Sequence, residues 1–287
     1  RSYGNGNAYS PDIWLIKTDS NGNEQWNRTW GLSGIDIGHC VRQTSDGGYI
    51  IAGESYYAAF LLKTDSNGNE QWNQLLTSYN NDRANSVLQT ADGGYIVTGT
   101  KDNSSNGMSD DFFLTKRSNN GIEQWTQTYG GSDYDRGFSL ELTTDGGYIL
   151  AGETESFGNG SKDIWLIKTD SNGSLQWSQT YGGSSTDAAR SVQTTSYGGY
   201  IITGYTYSFG NGGADTWLLK TDGNGNLDWD KTYGGTGGDF GESVLEANEG
   251  GYIIAGSQYS FGSGGYDAWL IHESDPLPSI NISSSES

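Results

Sequence analysis

The sequence predicts an all-β chain built from repeats of four short strands, closed into a ring of five sheets. Three observations carry that prediction. One phrase recurs: "DIWLIKTDSNGNEQW" at 12–26 returns as "DIWLIKTDSNGSLQW" at 163–177, with degraded copies at 58–72, 111–125 and 215–229 and a clipped one at 267–272. Its spacing is regular. Gly-Gly-Tyr tyrosines fall at 49, 95, 148, 200 and 252 and companion tryptophans at 26, 72, 125, 177 and 229, both sets with steps of 46, 53, 52 and 52. Composition agrees: 45 Gly, 19 Tyr and 10 Trp, against one Met and three Pro, supply strand and turn formers in place of a helical pattern.

Taken in order, each unit opens with a small-residue strand such as "RSVQTT" (190–195) and continues with a second such as "GGYIIAG" (250–256). The third is "DIWLIKTD" and the fourth "LQWSQTYGG" (175–183). An Asp-Gly-Gly type turn joins the first two, and Asn-Gly, a strong hairpin signal, joins the last two. Imperfect alternation in Trp165-Leu166-Ile167-Lys168 suits strands packed on both faces in a stacked array. Four strands at a period of roughly 40–50 residues are the signature of β-propeller blades. Length varies only ahead of the "WLIK" phrase, as a loop between fixed strands would.

The expected propeller spans residues 1–273, with units starting near Asp36, Asp82, Asp135, Asp187 and Asp239, and "SDPLPSINISSSES" (274–287) reads as a linker stub. The "WLIK" strand occurs six times and the other three strands five times each. The N-terminal hairpin, 12–30, is therefore expected to complete the blade begun at 239–256, a velcro closure that removes sheet edges and leaves one strand over. The alternative is an excised part of a larger propeller or an open array, in keeping with a chain that opens on Arg1 in mid-phrase.

Net charge is −20 and the sequence pI about 4.2. Such a chain repels phosphate backbones, which argues against a nucleic-acid partner. No apolar run approaches the ~20 residues that span a membrane as a helix. The single cysteine, Cys40, aligns with Ser86, Ser139, Ser191 and Ser243 as a small residue of the first strand. Five sequons, at Asn27, Asn103, Asn159, Asn172 and Asn281, permit glycosylation of an exported chain.

Candidate site residues come from positions that recur. Asp36, Asp82, Asp135, Asp187 and Asp239 hold the one acidic position present in all five complete units. They either accept backbone N–H bonds in inter-blade turns or, as a ring of carboxylates, bind calcium; repetition at every unit favours the turns. A second set, Asp12, Asp111, Asp163, Asp215 and Asp267, precedes "WLIK", and Asp19, Asp65, Asp170 and Asp222 open the Asn-Gly hairpins. Loops ahead of "WLIK" place Tyr3, Tyr56, Tyr57, Phe157, Phe209 and Phe261 on one rim, where they plug gaps between blades or meet a sugar or protein partner. His39 and His272 occupy unlike strand positions, so a zinc or Ser-His-Asp site is not indicated. For glycoside hydrolysis, Glu141 and Glu242 are the acids unmatched between units.

"KTDSNGNEQW" resembles the tryptophan-docking phrase of quinoprotein-type propellers, one residue shorter between Asp19 and Gly22. The full unit, "GGYIIAG…DxWLIKTDSNGNxQWxxTYGG", also resembles repeats of secreted propellers on bacterial and methanogenic archaeal surfaces, over about residues 3–272. The resemblance implies architecture and an extracellular or cell-surface setting, and no cofactor is carried over from the quinone enzymes. The combined expectation is a non-catalytic structural or adhesive module whose partners are other surface proteins, a carbohydrate, or itself through the surplus strand. The alternatives are a lectin-like propeller and a glycoside hydrolase.

Overall fold

The computed structural model describes residues 2–3, 11–32, 34–56, 58–77, 81–102, 109–262 and 264–274. Among them there are twenty-two strands in six antiparallel sheets and no helix. Sheet I holds β1 (Ser2–Tyr3), β2 (Pro11–Thr18) and β3 (Glu24–Trp30); sheet II holds β4 (Asp36–Gln43), β5 (Tyr49–Ser55), β6 (Ala58–Thr64) and β7 (Glu70–Leu75). Sheet III is β8 (Arg83–Gln89), β9 (Tyr95–Asp102), β10 (Asp110–Arg117) and β11 (Glu123–Tyr129); sheet IV is β12 (Asp135–Leu142), β13 (Tyr148–Thr154), β14 (Asp163–Thr169) and β15 (Leu175–Tyr181). Sheet V is β16 (Asp187–Thr194), β17 (Tyr200–Thr206), β18 (Asp215–Thr221) and β19 (Leu227–Tyr233), and sheet VI is β20 (Asp239–Glu246), β21 (Tyr252–Gln258) and β22 (Asp267–Glu273). Every sheet is a meander in chain order.

The turns follow from their side chains. In the Asn-Gly hairpins only the glycine takes a left-handed φ (+81° at Gly22), and pairing shifts register at Lys17/Thr18. The loop is thus not a two-residue turn but a longer one closed by a bulge. Asp19 organises it, its Oδ1 accepting the N–H groups of Asn21 and Asn23 at 2.8 and 2.9 Å. In the Asp-Gly-Gly turns the second glycine is required by close approach, since a Cβ on Gly48 would sit 2.1 Å from the Thr64 carbonyl oxygen. The buried Lys63 then staples turn to strand, its Nζ donating to Asp46 at 2.9 Å and to the Thr64 carbonyl at 2.8 Å. Lys116–Asp92 and Lys168–Asp145 repeat the contact at 2.8 Å.

Sheets stack with a constant polarity. In each third strand the residues at the Ile13 and Leu15 positions point forward, to the next sheet, and those at the Trp14 and Ile16 positions point back. Thus Ile164 and Leu166 of sheet IV join Trp217 and Leu219 of sheet V in one buried cluster. The same arrangement packs sheet II on III, III on IV, V on VI and I on II. Across each junction the fourth-strand tryptophan meets the next sheet's tyrosine, with ring centroids 5.7 Å apart for Trp26–Tyr49 and 5.9 Å for Trp229–Tyr252. The tryptophan also lies under the next sheet's Asn-Gly turn, where a Cβ on Gly173 would stand 2.7 Å from the Trp125 ring.

The expected closure is not what the strands do. The hairpin β2–β3 pairs with β1 and not with β21. The place beside β21 is taken by β22, in unbroken register from Tyr252↔Glu273 to Gln258↔Asp267. A strand that follows directly in the chain reaches β21 at far lower loop-closure cost than one from the opposite terminus. Six sheets, the first and last three-stranded, therefore stand where five closed blades were expected, and no ring closure occurs among the described residues. The expected linker stub from Asp275 onward lies outside the described residues.

Candidate functional site

The five recurring carboxylates sit apart, each buried at its own inter-sheet turn. Asp135 accepts hydrogen bonds from Gly131 N (2.8 Å), Ser156 Oγ (2.7 Å) and Thr154 Oγ1. Asp187 is held the same way by Gly183 N at 2.9 Å and Ser208 Oγ at 2.6 Å, and Asp239 by Gly235 N at 3.0 Å, Tyr259 N and Ser260. Asp36 accepts from Leu32 N at 3.0 Å and Asp82 from Asp102 N at 2.6 Å; burial pushes both carboxyls up. These are turn caps. Among the described residues no three His, Cys, Asp or Glu side chains gather as a metal site.

What the fold does bring together is a pair that the sequence did not announce. Asp12, Asp111, Asp163 and Asp215, ahead of four of the "WLIK" strands, each meet the turn aspartate of the following unit around one glycine. A Cβ on Gly182 would lie 1.7 Å from Asp163 Oδ1 and 2.9 Å from Asp187 Oδ2, and Gly130 and Gly234 stand equally close to their pairs. Burial, with the Asp187 charge beside it, pushes Asp163 up to about 6, against the Asn159 N–H that favours its ionised form. Asp215 is raised for the same reasons. The turn aspartates at the surface move the other way: Asp46, Asp92 and Asp145 fall to about 2 through hydrogen bonds from a neighbouring Thr hydroxyl and the buried Lys.

Two acids of the second strands, Glu153 and Glu54, are held in ion pairs. Glu153 receives Lys162 at 2.7 Å and Arg136 at 3.5 Å, and Glu54 receives Arg83 at 2.9 Å and lies 3.7 Å from His39. Glu141 is half-buried, accepts Gln193 Nε2 at 3.2 Å, and is raised by that burial. Glu242 is exposed on β20, and β16 packs against both β12 and β20. His272 is exposed on β22. Asn27, Asn159 and Asn172 are exposed, while Asn103 and Asn281 lie outside the described residues.

The rim aromatics behave as a repeated pair. Phe157 lies on Trp165 with centroids 5.0 Å apart, Phe209 on Trp217 at 5.2 Å and Phe261 on Trp269 at 6.0 Å, each phenylalanine about half exposed. Tyr56 is half exposed in the shortened loop, and the side chains of Tyr3 and Tyr57 fall outside the described residues. Phe157 and Trp165 form one wall of a groove of about 810 Å³ between the outer strands β11 and β15. Gln127, Tyr129, Gln179 and Thr180 line the remainder. Tyr129 spans it, its hydroxyl donating to the Gly173 carbonyl at 2.5 Å. The described lining carries amides, hydroxyls, aromatic rings and the aliphatic Leu175, and no ionisable acid or base apart from that tyrosine, whose hydroxyl is pushed well above its usual range by burial. The sequence singled out Phe157 as a rim aromatic and did not single out the amides, which come from strands of two different units.

No protein-family model and no curated protein sequence matches the chain. Solved structures do. The WD40 domain of Neurospora crassa Pan2 is 11% identical with a TM-score of 0.54, over 82% of this chain and 60% of that one. Sqt1 from Chaetomium thermophilum is 10% identical with a TM-score of 0.51, over 92% of this chain and 64% of its own. A puromycin hydrolase is 12% identical at a TM-score of 0.50, over 76% and 35%. The chain thus spans less than two thirds of each of these structures. At such identities the likeness is one of fold: repeated four-stranded antiparallel sheets of the β-propeller kind.

Proposed function

We propose that this chain is a non-catalytic adhesive and structural propeller-type module of a cell surface, holding neutral, hydroxyl-rich ligands in the groove between β11 and β15. The observation that carries the reading is the chemistry of that groove. An aromatic wall facing amides and hydroxyls suits a sugar, which stacks its apolar face on a ring and exchanges hydrogen bonds with amides. The acids near it are engaged as turn caps or ion pairs, which supports binding over hydrolysis. Phe209 and Trp217 present the same aromatic wall one unit on, so a polymeric glycan would meet the repeat in step.

The test is a neutral-glycan array on the full chain, followed by calorimetry with the best ligand. Phe157→Ala and Gln179→Ala are each expected to weaken binding about tenfold, the loss of one stacking contact or paired amide. Absence of any glycan bound, or release of reducing sugar from it, would overturn the reading.

A further inference from the structure

The polarity of stacking leaves one unmatched face at each end of the chain. Inside, every forward face is covered. Leu61, Leu114, Leu166 and Leu218 occupy one position in four sheets and are all 0% exposed, whereas their counterpart Leu270 of sheet VI is 71% exposed. Ala255 beside it is exposed where Ala52 and Ala151 are fully buried. At the other end the backward face is bare. Trp14 is 48% exposed where Phe60, Phe113, Trp165 and Trp217 lie between 1% and 5%, and Ile16 is exposed where Leu62, Ile167 and Leu219 are buried. Val41 of β4, on the face that sheet II turns toward sheet I, is 43% exposed where its counterparts Val87, Val192 and Val244 are fully buried; among the described residues sheet I sets only β1, β2 and β3 against it.

The two bare faces are not alike, and that decides what fits them. One is a forward face and the other a backward face, made from the same phrase as the junctions already buried between sheets I and VI. A forward face bearing the "WLI" leucine packs on a backward face of aromatic and aliphatic residues at the internal junctions: Leu114 on Trp165 and Ile167, and Leu166 on Trp217 and Leu219. Among the described residues these clusters join only consecutive sheets, and none joins sheet VI to sheet I.

We propose that copies of this chain join end to end, the forward face of sheet VI in one copy seated on the backward face of sheet I in the next. The contact is heterologous, so it propagates unless its rotation closes a ring of copies. It goes beyond the groove reading and is independent of it, since β11 and β15 lie in the middle sheets. It also differs from strand addition at the free edge of β22, because side chains and not edge hydrogen bonds make the joint. With each copy carrying −20, growth should strengthen with salt.

Light scattering over a concentration series tests it, with Trp14→Asp and Leu270→Asp compared with the unaltered chain. The unaltered chain is expected to grow past its own 30.9 kDa, and each variant alone to stay at that mass. Mixed in equal amounts the variants should form pairs and stop, because each retains the face that the other has lost. Both side chains are exposed, and an unchanged urea midpoint for each variant confirms that the fold is intact. An unaltered chain that stays monomeric at every concentration overturns the proposal. So does growth that persists in Leu270→Asp, which would place the joint at the strand edge, and so does a mixture that fails to pair.

Discussion

Leu166 and Leu270 are the same residue of the same phrase, and the fold predicts very different costs for removing them. Leu166 is fully buried at the junction of sheets IV and V, and Leu270 is 71% exposed. Truncating a leucine to alanine removes about three carbons, worth roughly 2.4 kcal/mol at about 0.8 kcal/mol per buried methylene. At Leu166 a cavity term adds to this, giving about 2–5 kcal/mol for Leu166→Ala. At Leu270 less than a third of the side chain is covered, so Leu270→Ala should cost no more than about 0.7 kcal/mol on the same scale. Urea unfolding followed by tryptophan fluorescence, at a concentration where the chain is monomeric, measures both. Because stacked repeats can lose cooperativity, hydrogen exchange across β14 and β22 should accompany it. Equal losses at the two sites would refute the assignment of sheet VI's forward face as uncovered.

Three further outcomes follow from the turns. Gly146→Ala meets nothing within 4 Å at a φ of +82° and should cost only the left-handed strain, about 1–2 kcal/mol, whereas Gly182→Ala drives a methyl into Asp163 and should lower the urea midpoint further. Asp163 is raised to about 6 in the folded chain, so stability should increase as pH falls from about 6 toward 4, and Asp163→Asn should reduce that rise in a pH series of thermal melts, the raised Asp36, Asp82, Asp215 and Glu141 supplying the rest. Asp46, Asp92 and Asp145 are depressed to about 2, so their stabilisation is complete above the ordinary carboxylate range and lost as pH falls through about 2; replacing all three with Asn should flatten that acid limb.

The strand inventory was legible because each unit repeats the same turn chemistry, and Asp46-Gly47-Gly48 or Asp19 with Gly22 dictates its hairpin from adjacent residues alone. The partner of β22 was not. "DAWLIHE" carries the same signal as five other strands, and only the short connection from β21 shows which edge it takes. The Asp163–Asp187 pairing was hidden for a related reason: its two members belong to different recurring sets, and only the turn at Gly182 brings them together. The amide wall of the groove eluded the sequence because Gln127 and Gln179 sit at one strand position in successive units, where period alone reads them as filler.

A repeat that spends its charges locally has consequences for where specificity can reside. Lys63, Lys116 and Lys168 are each buried against a turn aspartate of their own sheet, and the turn carboxylates are saturated by nearby donors. These groups fix each sheet but distinguish no sheet from its neighbours. Sheet III departs from this pattern: Arg117 replaces the threonine of Thr64, Thr169 and Thr221, and Thr115 replaces the aliphatic residue of Leu62, Ile167 and Leu219. Arg117 Nε donates to Thr115 Oγ1 at 3.1 Å and its Nη2 to Glu123 at 2.8 Å, so the two departures satisfy each other inside the junction with sheet II. Thr115 Oγ1 also donates to the Trp125 carbonyl at 3.0 Å and accepts from Thr126 Oγ1 at 2.7 Å, which ties the pair to β11 of its own sheet. That junction therefore has its own hydrogen-bond pattern, whereas the faces bared at Trp14 and Leu270 retain the common apolar phrase. An end that keeps the common phrase can accept any copy's opposite end, which is the property a chain-forming joint requires.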